Sequence, residues 1–143
     1  MDNNANSVES IKTTLKLIPI LKTQFNVKRN ADEDDPLLFI GVAESNLIDK
    51  LRPVVEVHFG APYKPAGESA FWKNLFDSFV KNIGGIRTEQ TLFKKEISPT
   101  LALFCAFWPW GSNPVNTSIR IGLLCESEEE EQALAKEVKA FFR

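Results

Sequence analysis

The chain contains few of the side chains that bind structural metals or carry out nucleophilic catalysis. Its 143 residues include one histidine and two cysteines. A closed zinc site needs four ligands, most of them Cys or His, so the sequence predicts no structural metal, and we expect no cofactor. It also lacks a nucleophile elbow, a phosphate-binding P-loop and a dinucleotide-binding glycine motif. A Ser/His/Asp or Cys/His catalytic pair is not excluded, but it could use only His58 as its base.

The two cysteines lie in neighbouring predicted strands. If these strands pair through a turn centred near Ser112, Cys105 lies opposite residue 119. Cys125 is then about 20 Å further along the sheet, which is beyond the reach of a disulfide. We therefore interpret both cysteines as small buried hydrophobic residues with reduced thiols.

Long apolar segments and clustered positive charge are also missing. No window approaches the roughly 20 apolar residues of a membrane helix, and the polar, acidic N-terminus does not resemble a secretory signal. The formal net charge is −2, and Lys and Arg are scattered along the chain. We therefore expect a cytoplasmic protein that binds neither a membrane nor nucleic acid.

The residues that are abundant indicate a single globular domain. The composition is 43% hydrophobic and 25% charged, which is ordinary for a folded domain. A chain of this length can build one core of its own. We expect a disordered tail over residues 1–6 and one globular domain over residues 7–143.

The most informative segment is TLALFCAFWPW, residues 100–110. From Leu101 onward, both alternating faces of a strand in this segment would be apolar. Such a strand has no face suited to water, and it is typical of a strand covered on both sides of a sheet.

The remaining pattern predicts an α+β fold of the order α-β-α-α-β-β-β-α. Its antiparallel sheet has a C-terminal three-strand meander and is packed by about four helices. A charged surface loop is expected over residues 26–36. Predicted helices cover residues 7–21, 45–58, 71–83 and 127–142, and predicted strands cover 37–43, 90–97, 101–108 and 115–125. Residues 53–59 are ambiguous, because VVEVHF also suits a strand and Pro53 disfavours a helix interior; we narrowly favour a helix.

Several residues predict where helices begin or bend. Asn6 and Ser45 are suited to cap the first and second helices, and Ser127 forms a capping box with Glu130 before the last one. Pro19 is expected to kink the first helix. In the strand over 115–125, alternation predicts one buried and one exposed face.

Candidate binding residues lie mainly around the tryptophans near residue 110. Trp108 and Trp110 end a strand beside a turn, where they either pack against a helix or face a partner. Arginines could add cationic contacts, and the loop over 60–67 offers a tyrosine and a lysine between prolines. His58, on or near an apolar face, is better explained as a hydrogen-bonded structural histidine. The candidates are Trp108, Trp110, Tyr63, Lys64, His58, Arg87 and Arg120.

Two functional hypotheses follow. The first is a non-catalytic domain that acts by protein association, with self-association favoured, because a second subunit would cover any face of the small sheet that four helices leave open. The alternative is a small-molecule-binding protein or a small enzyme, with a site between the sheet and the helices near Trp72, Trp108 and Trp110. The sequence favours the first.

Overall fold

The computed structural model describes residues 3–30, 37–63, 90–110 and 115–143. Within these ranges the chain forms a five-stranded sheet in which all neighbouring strands are antiparallel. The spatial order is β1-β2-β5-β4-β3. The strands are β1 (Lys28–Arg29), β2 (Leu38–Glu44), β3 (Thr91–Ser98), β4 (Leu101–Pro109) and β5 (Asn116–Cys125).

The sheet confirms the predicted fold class and the predicted meander. Strands β3, β4 and β5 pair consecutively, and β2 adds to the other side of β5. Strand β1 was not predicted, because residues 26–36 were interpreted as a loop. Its two residues, Lys28 and Arg29, pair with Val42 and Gly41. A strand of two charged residues has no hydrophobic alternation by which it could be detected.

Three of the four predicted helical segments lie in the described ranges; the fourth, over residues 71–83, lies outside them. The first segment is divided in two. The described α-helices are α1 (Asn3–Leu15), α2 (Leu17–Gln24), α3 (Ile48–Phe59) and α4 (Glu128–Val138), with short 3₁₀ turns at Ser45–Leu47 and Lys139–Phe142. None of these helices combines the length and apolar composition needed to cross a membrane.

Pro19 explains the division between α1 and α2. A proline inside a helix has no N–H to donate and collides with the carbonyl group four residues earlier. For Pro19 that residue is Leu15, where α1 ends. Lys16 forms the turn between the helices, and Pro19 then lies in the first turn of α2, where no N–H is needed. The predicted kink is therefore a break at Lys16.

Two of the three predicted helix starts need correction. Helix α1 begins at Asn3 rather than near Asn6. Ser45 does not cap α3; it begins the 3₁₀ turn, and its Oγ lies 2.8 Å from Thr117 Oγ1.

The Ser127 cap of α4 is confirmed. Its Oγ accepts a hydrogen bond from the Glu130 N–H at 3.3 Å. The Glu130 carboxylate does not complete the box; it accepts a hydrogen bond from the Thr100 hydroxyl group instead. The start of α4 is thereby joined to the turn between β3 and β4.

All described helices pack on one side of the sheet, which we call the helical face. Its core joins side chains of every described helix to inward residues of the strands. The strands contribute mainly Phe39, Phe93, Leu103, Cys105, Phe107, Ile119 and Ile121. The opposite side, which we call the second face, carries a smaller apolar cluster of Leu92, Phe104 and Ala106, with Leu38, Tyr63, Trp108 and Leu124 packed against it.

Strand β4 is buried on both faces, as predicted. Residues 101–107 are all buried, although neighbouring side chains point in opposite directions. The burial is achieved within a single copy of the chain.

The prediction that one face of β5 is exposed is wrong. Ser118 and Gly122 on its second face are buried. At Gly122 the ring of Phe104 occupies the space that a side chain would fill, because an added Cβ would lie 2.6 Å from Phe104 Cε1. The missing side chain lets an aromatic ring cover β5.

The register between β4 and β5 differs by two residues from the predicted one. Cys105 lies opposite Ile121 rather than residue 119, and Leu101 lies opposite Cys125. A shift of two residues preserves the face of every side chain, because side chains alternate with a period of two. The predicted assignment of side chains to the two faces is therefore unchanged.

Truncating β4 should strongly destabilise the fold. We expect Leu103→Ala to lower the free energy of unfolding by about 2–5 kcal/mol, because it leaves a cavity in a fully buried site. Urea unfolding followed by circular dichroism measures this loss. The control is Val57→Ala on α3, where the side chain is 82% exposed and the effect should stay within about 0.5 kcal/mol. Equal effects of the two substitutions would contradict the buried position of Leu103.

Candidate functional site

The candidate site lies at the end of the β4–β5 ribbon, where both predicted tryptophans are found. Trp108 is half-buried on the second face, and Trp110 follows the end of β4 with 51% of its surface exposed. The Trp110 backbone N–H donates to the Asn116 carbonyl group at 3.0 Å. The pairing of the two strands therefore continues to Trp110 and fixes its backbone.

Arg120 lies against Trp108. Across the ribbon Trp108 is opposite Ser118, and Arg120 is opposite Ala106, so Arg120 is the diagonal neighbour of Trp108 on the same face. The guanidinium carbon lies 4.0 Å from the centroid of the Trp108 ring. This distance is well within the range of a cation–π interaction. The structure thus brings together three of the predicted residues: Trp108, Trp110 and Arg120.

Ser118 joins these residues and was missed by the sequence analysis. It is only 8% exposed, and its Oγ accepts a hydrogen bond of 2.7 Å from Trp110 Nε1. The predicted register placed residue 116, not 118, opposite Trp108. With the observed register, alternation in β5 would have identified Ser118 and Arg120 as neighbours of Trp108.

The indole N–H of Trp108 is a buried hydrogen-bond donor without an acceptor among the described residues. An indole N–H can only donate. Leaving a buried donor unsatisfied costs about 1–3 kcal/mol. An acceptor atom placed at this N–H would therefore be stabilising.

Tyr63 belongs to the same second face. It packs against the cluster of Leu92, Phe104 and Ala106. Lys94 Nζ, from the neighbouring strand β3, lies 5.1 Å from the centroid of its ring. A second cation–aromatic pair therefore lies on this face.

His58 lies on the opposite side of the sheet and does not join the tryptophans. It is part of α3, which packs on the helical face through Leu51 and Val55. Its Nδ1 donates to the Val54 carbonyl group at 2.9 Å, and its own carbonyl group accepts a hydrogen bond from Lys95 Nζ at 3.3 Å. This is the hydrogen-bonded histidine that the sequence favoured. The remaining candidates, Lys64, Arg87 and Trp72, lie outside the described residues.

The cysteines are both free thiols. Burial raises the pKa of Cys105, which lies in the core of the helical face. Burial also raises the pKa of Cys125, with a further contribution from Glu130; its Sγ donates to the Ser127 carbonyl group at 3.1 Å. Neither thiol has the lowered pKa typical of a reactive cysteine. Within the described ranges, no three His, Cys, Asp or Glu side chains are grouped to hold a metal ion.

No protein-family model matches this chain, and no curated protein or solved structure matches it either. The functional argument therefore depends on geometry. The end of the β4–β5 ribbon combines exposed aromatic surface, a cation and an unsatisfied N–H donor. These groups suit binding, since aromatic and arginine side chains are the residues that dominate recognition surfaces.

The two thiols should differ in reactivity. At about pH 8, a disulfide reagent should modify Cys125 slowly and Cys105 only after unfolding, because thiolate formation is disfavoured at both and Cys105 is fully buried. Absorbance of the released thiolate measures both rates. The Cys125→Ser variant is the control, and it should show no reactive thiol in the native state. Rapid modification of Cys105 in this variant would contradict its core position.

Proposed function

We propose that this chain is a non-catalytic domain that acts through protein association, with a second copy of itself as the partner. The observation that carries the proposal is an exposed apolar tip, formed by Trp110 and Val115 at the end of the β4–β5 ribbon. Trp110 is 51% exposed and Val115 77% exposed. The hydrogen bond from Trp110 N to Asn116 O places Trp110 opposite Asn116, the residue that follows Val115.

The tip has the composition of an interface centre. Tryptophan is enriched among residues that contribute most to binding, because it buries a large area with few rotatable bonds. In a two-fold dimer the same patch of each subunit meets its copy. Two tips would then bury two tryptophans and two valines, and the low net charge of −2 opposes this contact only weakly.

The proposed contact uses the tip rather than the sheet. The sequence argument for association was that a second subunit would complete the cover of β4. Within one chain, however, residues 101–107 of β4 are already buried on both faces. The exposed residues of the tip therefore replace the sheet face as the reason to propose association.

Polar substitution of the tip should weaken association. We expect Val115→Ser to raise the dimer dissociation constant roughly tenfold or more, because each dimer loses two buried valines. Sedimentation equilibrium over the micromolar range measures this constant. Val57→Ser is a matched control, because Val57 is a similarly exposed valine on α3, away from the tip. The proposal fails if the unmodified protein is strictly monomeric, or if both variants dissociate alike.

A second candidate function is the binding of a small molecule on the second face. The unsatisfied Trp108 Nε1 favours it, because a ligand with an acceptor atom would complete this hydrogen bond. Arg120 and Tyr63 add a cation and a further aromatic ring on the same face.

A thermal-shift screen of metabolites tests this candidate. A ligand that raises the melting temperature of the unmodified protein should have a much smaller effect on Trp108→Phe, which keeps an aromatic ring but lacks the N–H. His58→Gln is the control and should retain the full shift, since His58 lies on the helical side of the sheet. Hits that are equally insensitive to both substitutions would count against a site at Trp108.

A further inference from the structure

We propose that Ser118 is a positioning residue for association, because it holds the exposed ring of Trp110 in one orientation before a second copy binds. The inference rests on the proposed function and concerns the same tip. The indole Nε1 of Trp110 donates a hydrogen bond of 2.7 Å to Ser118 Oγ. Removing this bond should leave the fold intact and weaken the association of two copies of the chain.

The strand register brings Ser118 to Trp110. The backbone N–H of Trp110 donates to the Asn116 carbonyl group, so Asn116 lies opposite Trp110 and continues the pairing of β4 with β5. Ser118 is two residues further along β5 on the same face of the sheet, which makes it the diagonal neighbour of Trp110. A long aromatic side chain reaches such a neighbour. The bond to Ser118 is therefore set by the pairing of the strands.

The Ser118 hydroxyl group is a fixed acceptor. Only 8% of the residue is exposed. Its strand is paired on both sides, so that Ser118 lies between Val42 of β2 and Trp108 of β4. A hydroxyl oxygen has two lone pairs and accepts the indole N–H. An acceptor inside a sheet holds its donor in a more constant position than a surface side chain or a water molecule does.

Three restraints act on Trp110 together. Pro109 precedes it, and the proline ring fixes one backbone torsion angle of the chain that leads into it. The bond to Asn116 O fixes the backbone N–H of Trp110, and the bond to Ser118 fixes its ring. Because a tryptophan side chain has only two torsion angles, the bond to Ser118 leaves the ring little freedom.

The same bond decides which surface the ring presents. Nε1 is the only polar atom of an indole ring, and it is directed to Ser118. The rest of the ring consists of carbon and C–H groups, and 51% of Trp110 is exposed. The exposed ring therefore offers hydrocarbon surface, which is stabilised by apolar contact rather than by hydrogen bonds. The same apolar tip on a second copy provides such a contact.

Fixing the ring in advance strengthens association. A side chain that is mobile in the free protein loses this freedom when an interface forms, and the loss opposes binding. For Trp110 the loss has already occurred during folding, because the bond to Ser118 is formed within one chain. A two-fold dimer contains two such rings, so the effect enters the dimer dissociation constant twice.

The indole signals of ¹⁵N-labelled protein test the order of the ring. The sequence contains three tryptophans, and the signal lost in Trp110→Phe identifies residue 110. The measurement is made in the Val115→Ser variant, in which association is weakened. We expect the heteronuclear NOE of Trp110 Nε1 to match the rigid backbone, to fall clearly when Ser118→Ala is added, and to recover with Ser118→Thr, which keeps a hydroxyl group. A low NOE already present with Ser118 in place would overturn the proposal.

A double-mutant cycle tests whether Ser118 acts through Trp110. We expect Ser118→Ala to raise the dimer dissociation constant about tenfold and Ser118→Thr to restore it, as measured by sedimentation equilibrium. Trp110→Phe has no indole N–H, so Ser118→Ala should have little further effect in that variant. If Ser118→Ala does not fold, Ser118→Cys replaces it, because a thiol is only a weak acceptor.

Ser45→Ala is the matched control. It also removes one hydroxyl hydrogen bond, the one between Ser45 and Thr117, at the same end of the sheet. The backbone bond from Ser45 N to Val115 O does not depend on the side chain. We therefore expect this variant to keep the dissociation constant of the unmodified protein.

The outcomes separate this proposal from the function on which it rests. If Val115→Ser weakens the dimer but Ser118→Ala does not, the tip is the interface and the role of Ser118 is refuted. The role is also refuted if Ser118→Ala weakens the dimer equally with and without the Trp110 indole, or no more than Ser45→Ala does. If the unmodified protein is strictly monomeric, both proposals fail.

Discussion

The structure depends on the burial of β4 between two paired strands and two covered faces. Its backbone groups pair with β3 and β5, and its side chains enter the core of the helical face and the smaller cluster of the second face alternately. A strand of this composition cannot lie at an exposed edge without leaving apolar surface in water. Its position therefore fixes the places of its two neighbours, and the described helices then cover one face.

The same constraint locates the candidate site. Strand β4 remains apolar up to Phe107, and its next residues reach the end of the sheet, where burial decreases. Trp108 can there keep its ring against the second face beside Arg120, while Trp110 is half exposed. The polar residues that β5 contributes to the second face, Asn116, Ser118 and Arg120, all lie in the half of the strand near this end. The residues of the candidate site thus lie where the core gives way to solvent.

Local signals were most reliable where a single residue has a strong physical effect. Pro19 disrupts the helix at the carbonyl group of Leu15, and Ser127 caps α4. Ser45 shows the limit of such signals, because its hydroxyl group bonds to Thr117 from a distant strand instead of capping α3. Strand β1 could not be predicted for a related reason, because Lys28 and Arg29 form a strand only by pairing with the edge of β2.

The sequence by itself determined which residues of a strand share one face of the sheet, because alternation with a period of two depends only on residue order. It identified β4 as doubly buried and grouped Trp108 with Trp110. Only the tertiary structure decided the register of β4 against β5. A shift of two residues keeps every side chain on the same face, so the sequence pattern does not distinguish the two registers. That register brings Ser118 and Arg120 to Trp108. The packing of α3 likewise placed His58 on the helical side and separated it from Tyr63, since pairings across long stretches of chain are set by the fit of whole elements rather than by local sequence.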